Sequence, residues 1–106
     1  MANIESSLAA LTTLADPTRR QVFELLAAHP RPVGQLAQAL PVSRPAVSQH
    51  LRVLSEAGLV QVQAMGTRRI YSVRREGLAE LRRYLDHLWG DVLQNFAAEI
   101  ENRKEP

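Results

Sequence analysis

Residues 41–60 read PVSRPAVSQHLRVLSEAGLV. Ser43 stands where a side-chain oxygen can close the first turn of a helix, Val42 and Val47 flank it as an apolar staple, and Gly58 supplies the stop. Arg44 precedes Pro45 and is biased away from helical angles, so either Ser43 or Arg44 is the cap residue. With Val47 at the origin of a helical wheel advancing about 100° per residue, Leu51 and Leu54 fall within roughly 40° of it. Pro45, Ser48, Gln49 and Arg52 fall on the far side. A face that is only solvated would carry several Glu and Lys, and this one has neither before Glu56. Small or hydrogen-bonding residues over the first three turns suit a helix whose N-terminal part lies at base edges in a major groove, where Arg pairs with guanine and Gln with adenine.

Working outward, residues 59–65 alternate Val60, Val62 and Ala64 against Gln61, Gln63 and Met65, which predicts a half-buried strand. Gly66-Thr67 is a hairpin turn, and residues 69–74 return as a second strand. Arg68 and Arg69 follow the turn, at a hairpin tip that can reach phosphates or enter a minor groove. Upstream, Val33, Leu36, Ala37 and Leu40 mark a short helix that Pro41-Val42-Ser43 turns into the next one. Before it, Asp16-Pro17 starts a helix to about Ala28, with Val22, Leu25 and Leu26 as its stripe, Asp16 as its cap and Pro30 and Pro32 as its stop. Leu8, Leu11 and Leu14 give a first helix over residues 6–15. A long amphipathic helix fills residues 76 to about 101, weakened locally by Gly90. The expected fold is all-α with a small β-hairpin wing: a winged helix-turn-helix of five helices.

At 106 residues the chain holds one core, so residues 1–106 are read as a single domain. Without cysteine, disulfides, thiolate metal sites and thiol sensing are excluded. No signal-peptide pattern opens the sequence and no apolar run approaches a membrane span, so a cytoplasmic location without membrane contact is expected. The net charge of +2 is unevenly spread. Residues 31–75 carry seven arginines against Glu56 alone, a surplus of +6, whereas residues 1–30 sum to −1 and residues 76–106 to −3. A basic middle between acidic ends is expected of a face that meets a polyanion, here double-stranded DNA.

The apolar stripe of the last helix, from Leu81 through Leu85, Leu88, Trp89 and Val92 to Phe96, is wider than one small core can use. Together with Leu8 and Leu11 of the uncharged first helix it is read as a homodimer interface.

Asp16-Pro17-Thr18-Arg19, residues 48–54 (SQHLRVL) and Ala57-Gly58-Leu59-Val60 resemble the ArsR/SmtB family of dimeric winged-helix repressors, over nearly the whole chain. The resemblance implies five helices and a wing, dimerisation through the first and last helices, and repression by occupying an operator until an effector releases it. Carried over by position, Ser43, Arg44, Pro45, Ser48, Gln49, His50 and Arg52 lie on the DNA-reading helix, and Gly66, Arg68 and Arg69 on the wing. The sequence departs from the family at two places before the last helix, and in the last helix at the paired Asp and His metal ligands of other relatives, where it has one His87 between Asp86 and Asp91. Metal-sensing relatives have Cys-x-Cys at the start of the third helix, where this chain has Pro32-Val33-Gly34, and the usual glycine between the third and fourth helices is Pro41.

No metal site is assigned, because His87 beside Asp86 and Asp91 offers one imidazole per chain. No cofactor or catalytic residue is expected: no nucleophile, base and orienting group form a set, and there is no phosphate-binding glycine loop. The sequence names no effector. Two other readings stay open, a winged helix used only for protein docking and a metal-responsive repressor with His and Asp ligands.

Overall fold

Residues 4–104 are described by a computed structural model. Five helices and a three-stranded antiparallel sheet follow in the order α1 (Ile4–Ala15), α2 (Pro17–Ala28), β1 (Arg31–Pro32), α3 (Val33–Ala39), α4 (Arg44–Glu56), β2 (Val60–Met65), β3 (Arg68–Val73) and α5 (Arg75–Lys104). The helix order and the hairpin are those expected. The wing gains a strand: β1 pairs with β3, Arg31 opposite Tyr71 and Pro32 opposite Ile70, in the sheet order β1-β3-β2. Two residues between prolines carry no alternation, so this strand had no sequence pattern, and Pro32 is tolerated because β1 is an edge.

The core gathers Val22 and Leu26 of α2, Leu36 of α3, Val47, Leu51 and Leu54 of α4, and Leu59 and Val60 beyond it, with Ala10 of α1 and Leu81 of α5 closing one side. The inward face of α1 is made mostly of small side chains. Ser7, Ala10 and Thr13 are buried and Leu14 is half-buried, while Leu8 and Leu11 point out of the protomer. Asp16 does not cap α2 with its side chain. Instead its backbone carbonyl accepts the Arg20 amide at 2.9 Å, and Pro17 occupies the first turn, where its missing N–H costs nothing. Arg19 and Arg20 turn back to the preceding helix, donating to the carbonyls of Thr13 (3.3 Å) and Leu14 (3.4 Å) at the end of α1. Guanidinium groups there satisfy open carbonyls and oppose the negative end of the helix dipole.

Helix α4 ends in paired bonds, Leu59 N–H to Leu54 O and Gly58 N–H to Ser55 O, both 3.0 Å, with Gly58 at φ 75°. This is the left-handed stop that glycine adopts without strain, and Leu54 and Leu59 on either side of it are both buried in the core. The hairpin turns at Gly66, φ 65°. Beyond the buried Val60, strand β2 is exposed along its length, so the wing projects into solvent and Val62 is not the core residue its alternation predicted. Helix α5 has 30 residues, about 45 Å at 1.5 Å per residue, and carries the long dimension of a 70 × 30 × 22 Å molecule.

Candidate nucleic-acid interface

Helix α4 divides by face as the wheel predicts. Val47, Leu51 and Leu54 are at most 1% exposed, whereas Ser43, Arg44, Pro45, Ser48, Gln49 and Arg52 all face solvent. Ser43 is the cap, its Oγ accepting the Ala46 amide at 3.2 Å, so Arg44 opens the helix as its first residue. No residue between α3 and α4 has positive φ, so Pro41 is accommodated by an extended turn. His50 is half-buried at the edge of the face, with Nδ1 enclosed and unpartnered among the described residues. Arg52 donates from Nε to Glu56 Oε1 at 3.1 Å, one turn along the helix. Such an exposed pair contributes about 0.3–0.5 kcal/mol, too little to hold Arg52 away from a base or phosphate.

Facing the start of α4, the wing presents Arg68 and Arg69, the first residues of β3, opposite Met65 and Ala64. Between wing and helix lies a cleft of about 600 Å³ in which Arg44 and Ser48 meet Arg68 and Arg69. Its wall also holds Gln35 and Gln38 of α3, and Thr67 and Tyr71 of the wing, none of which was singled out from the sequence. The available signal was the i, i+3 spacing of the glutamines on a helix whose other face is apolar. No carboxylate lines the cleft.

The seven arginines of the basic segment do not all gather here. Arg44, Arg68 and Arg69 share the cleft and Arg52 lies further along the exposed face of α4. Arg74 turns to the Gly58 carbonyl (3.4 Å), Arg31 is half-buried on β1, and Arg75 lines a separate recess with His29. Linear clustering overstated the basic face because strand alternation and the start of α5 send several of these side chains elsewhere.

The residues read as a dimer interface also separate. Leu8 and Leu11 on α1 are 48% and 36% exposed, and Leu85, Leu88, Trp89, Val92 and Phe96 on α5 are 41–63% exposed. Ile4, Leu93 and Ile100 extend the same apolar surface. Leu81 does not belong with them: at 7% exposure it lies in the core of its own chain, where the first turns of α5 cover α1. Further along α5, His87 Nε2 lies 3.6 Å from Asp91 Oδ2, and Asp86 pairs with Arg82 at 3.7 Å. Among the described residues no three His, Cys, Asp or Glu side chains gather as a metal site, and no helix is long and apolar enough to cross a membrane.

A family described as a helix-turn-helix domain matches residues 14–63. The chain is 49% identical over 102 residues to the HTH-type transcriptional regulator Rv2034 of Mycobacterium tuberculosis, covering 96% of this chain and 95% of that one. Among solved structures, an ArsR-like transcriptional regulator from Rhodococcus sp. RHA1 superposes with a TM-score of 0.84 at 28% identity, over 95% of this chain and 94% of that one. The solution structure of a homodimeric winged helix-turn-helix DNA-binding domain, Mb0332 from Mycobacterium bovis, gives a TM-score of 0.67 at 27% identity, over 87% and 85% of the two chains.

Proposed function

The chain belongs to the ArsR/SmtB family of winged helix-turn-helix transcriptional regulators, and from that premise we propose that it is a cytoplasmic, non-enzymatic repressor whose homodimer occupies an inverted-repeat operator. The observation that carries this reading is the carboxylate-free cleft joining Arg44 and Ser48 of α4 to Arg68 and Arg69 of the wing. In it, the N-terminal turns of α4 enter the major groove, with Arg44, Ser48, Gln49 and Arg52 at base edges or flanking phosphates and His50 at the rim. Gly66 lets the wing turn tightly enough for Arg68 and Arg69 to track the backbone or the adjacent minor groove. Pro45 shapes the first turn of α4 and makes only apolar contact. The apolar faces of α1 and α5 supply the two-fold interface, and the dimer blocks transcription by occupying its site.

A docking module that leaves this face free of nucleic acid would expose apolar residues on α4. The solvent face of α4 offers serine, glutamine and arginine instead. Selection of bound duplexes from random DNA tests the proposal. The expected sites are inverted repeats with half-site centres about one helical turn, roughly 10 bp, or a multiple of it apart. Selected sites without dyad symmetry would overturn it.

A further inference from the structure

Away from the DNA cleft, α1, the end of α4 and the start of α5 enclose a cavity of about 280 Å³. Its polar lining is lopsided. Ser6 and Ser7 bring hydroxyls, Glu56 and Glu80 bring carboxylates, and the C-terminal end of α4 adds the partial negative charge of its helix dipole. Arg74 is the one cation in the wall, and its Nη1 already donates to the Gly58 carbonyl. Glu56 has Arg52 beside it, whereas the half-buried Glu80 forms no ion pair among the described residues. Ser7 is 3% exposed, and its Oγ is buried without a hydrogen-bond partner among the described residues. A buried hydroxyl left unpaired is costly and calls for an explanation.

The Ser7 hydroxyl can accept as well as donate, and the unpaired Glu80 carboxylate beside it favours a partner that is a cationic donor. A metal ion needs more ligands than these two carboxylates, and no cluster of three gathers here among the described residues. An alkylammonium fits better. Its N–H donors match carboxylate and hydroxyl and leave one for solvent, while its carbon stem lies on Ala10 and Leu81. We propose that this cavity binds a small organic ammonium ion and that occupancy shifts α1 against the joined ends of α4 and α5. The second half rests on the DNA-binding reading above. A ligand shifts a conformational equilibrium only through different affinities for its states. One that touches the last turn of the DNA-reading helix together with both helices of the proposed dimer face has the means to do so.

The test uses the full ¹⁵N-labelled chain without DNA, titrated with 1,4-diaminobutane, and with succinate, 1,4-butanediol and magnesium as controls. The expected result is saturable amide shifts centred on Ser7, Gly58 and Gly77, from the diamine alone. Glu80→Gln, shown to be folded by its own spectrum, weakens binding about tenfold, as expected for removal of one charged hydrogen bond. Ser7→Ala weakens it in the same direction, and Glu99→Gln, at the far end of α5, leaves it unchanged. No saturable response, an equal response to magnesium, or undiminished affinity in Glu80→Gln would overturn the site. With duplex present at constant ionic strength, the diamine changes DNA affinity in the wild type and not in Glu80→Gln. An equal change in both would overturn the coupling. Failure of the chain to bind DNA at all would count against the proposed function and leave the titration to judge the cavity.

Discussion

A Cβ placed on Gly77 would lie 1.9 Å from the carbonyl oxygen of Gly58. The first turn of α5 thus rests backbone to backbone on the residue that terminates α4, and the Arg74 amide bonds the Leu59 carbonyl beside it at 2.9 Å.

Gly77→Ala therefore destabilises the protein by about 1–3 kcal/mol, because backbone and not a flexible side chain must yield. Helix propensity alone gives the opposite sign, a gain of about 1 kcal/mol from replacing a helical glycine. Gly90, with nothing within 4 Å of its own added Cβ, takes that gain in Gly90→Ala. Denaturant unfolding of both variants at one protein concentration checks the contrast. A neutral Gly77→Ala would mean that the two helix ends are not locked together.

Base reading and backbone holding separate in the DNA-binding variants. Gln49→Ala and Arg52→Ala reduce discrimination between selected and altered sites by about 1–3 kcal/mol. Arg68→Ala or Arg69→Ala weakens binding to every duplex and lowers the salt dependence by about one unit for each phosphate no longer neutralised. Titrations at several salt concentrations measure both quantities. An unchanged slope in the wing variants would remove the wing from the interface.

Leu81 and Leu88 lie two turns apart on α5 and respond differently to the same change. Leu88→Glu or Val92→Glu places charge on the exposed stripe and yields monomers that do not bind the operator. Leu81→Glu places charge in the core and yields an unfolded chain, because an unpaired buried carboxylate is far too costly there. Sedimentation and circular dichroism distinguish the two results, and a monomeric wild type at micromolar concentration would contradict the interface.

Operator affinity is expected to stay constant, within tenfold, when metal-stripped protein receives micromolar zinc, nickel, cobalt or arsenite. Arsenite needs thiolates, and the chain has no cysteine. Zinc needs about four ligands, and His87 has only Asp91 near it among the described residues, at 3.6 Å. A DNA-binding titration with each ion in turn decides the matter. A tenfold change with any of them would place a shared site across the dimer.

Periodicity and stop signals made the helices legible, because Val47, Leu51 and Leu54 or Val22 and Leu26 have one burial partner and the pattern records it. Side chains with two claimants were harder. Leu8, Leu11 and Leu14 mark α1 by spacing, but spacing does not say that Ser7, Ala10 and Thr13 face inward, since α1 packs closely through small side chains. Leu81 and Leu88 belong to one stripe in sequence, and only the point where α5 outgrows the globule separates them. The basic face was half legible: Arg68 and Arg69 follow from the turn beside them, but nothing local says that Arg74 turns to Gly58. Strand β1 and the cavity beside Ser7 arise where distant segments meet and leave no local pattern.

The joint after α4 contains no slack. Leu59 and Val60 are buried within a few residues of the helix end, and Val60 is already paired with Val73 as the wing begins. Helix and hairpin are arms of one rigid calliper, further braced where β1 holds the second arm to the loop before α3. Its opening is set by core packing rather than by adjustable linkers, so the two arms cannot be fitted to a duplex independently. In the proposed complex, DNA of the wrong groove spacing must itself deform to engage both arms, and the energy of that deformation becomes part of what the protein distinguishes.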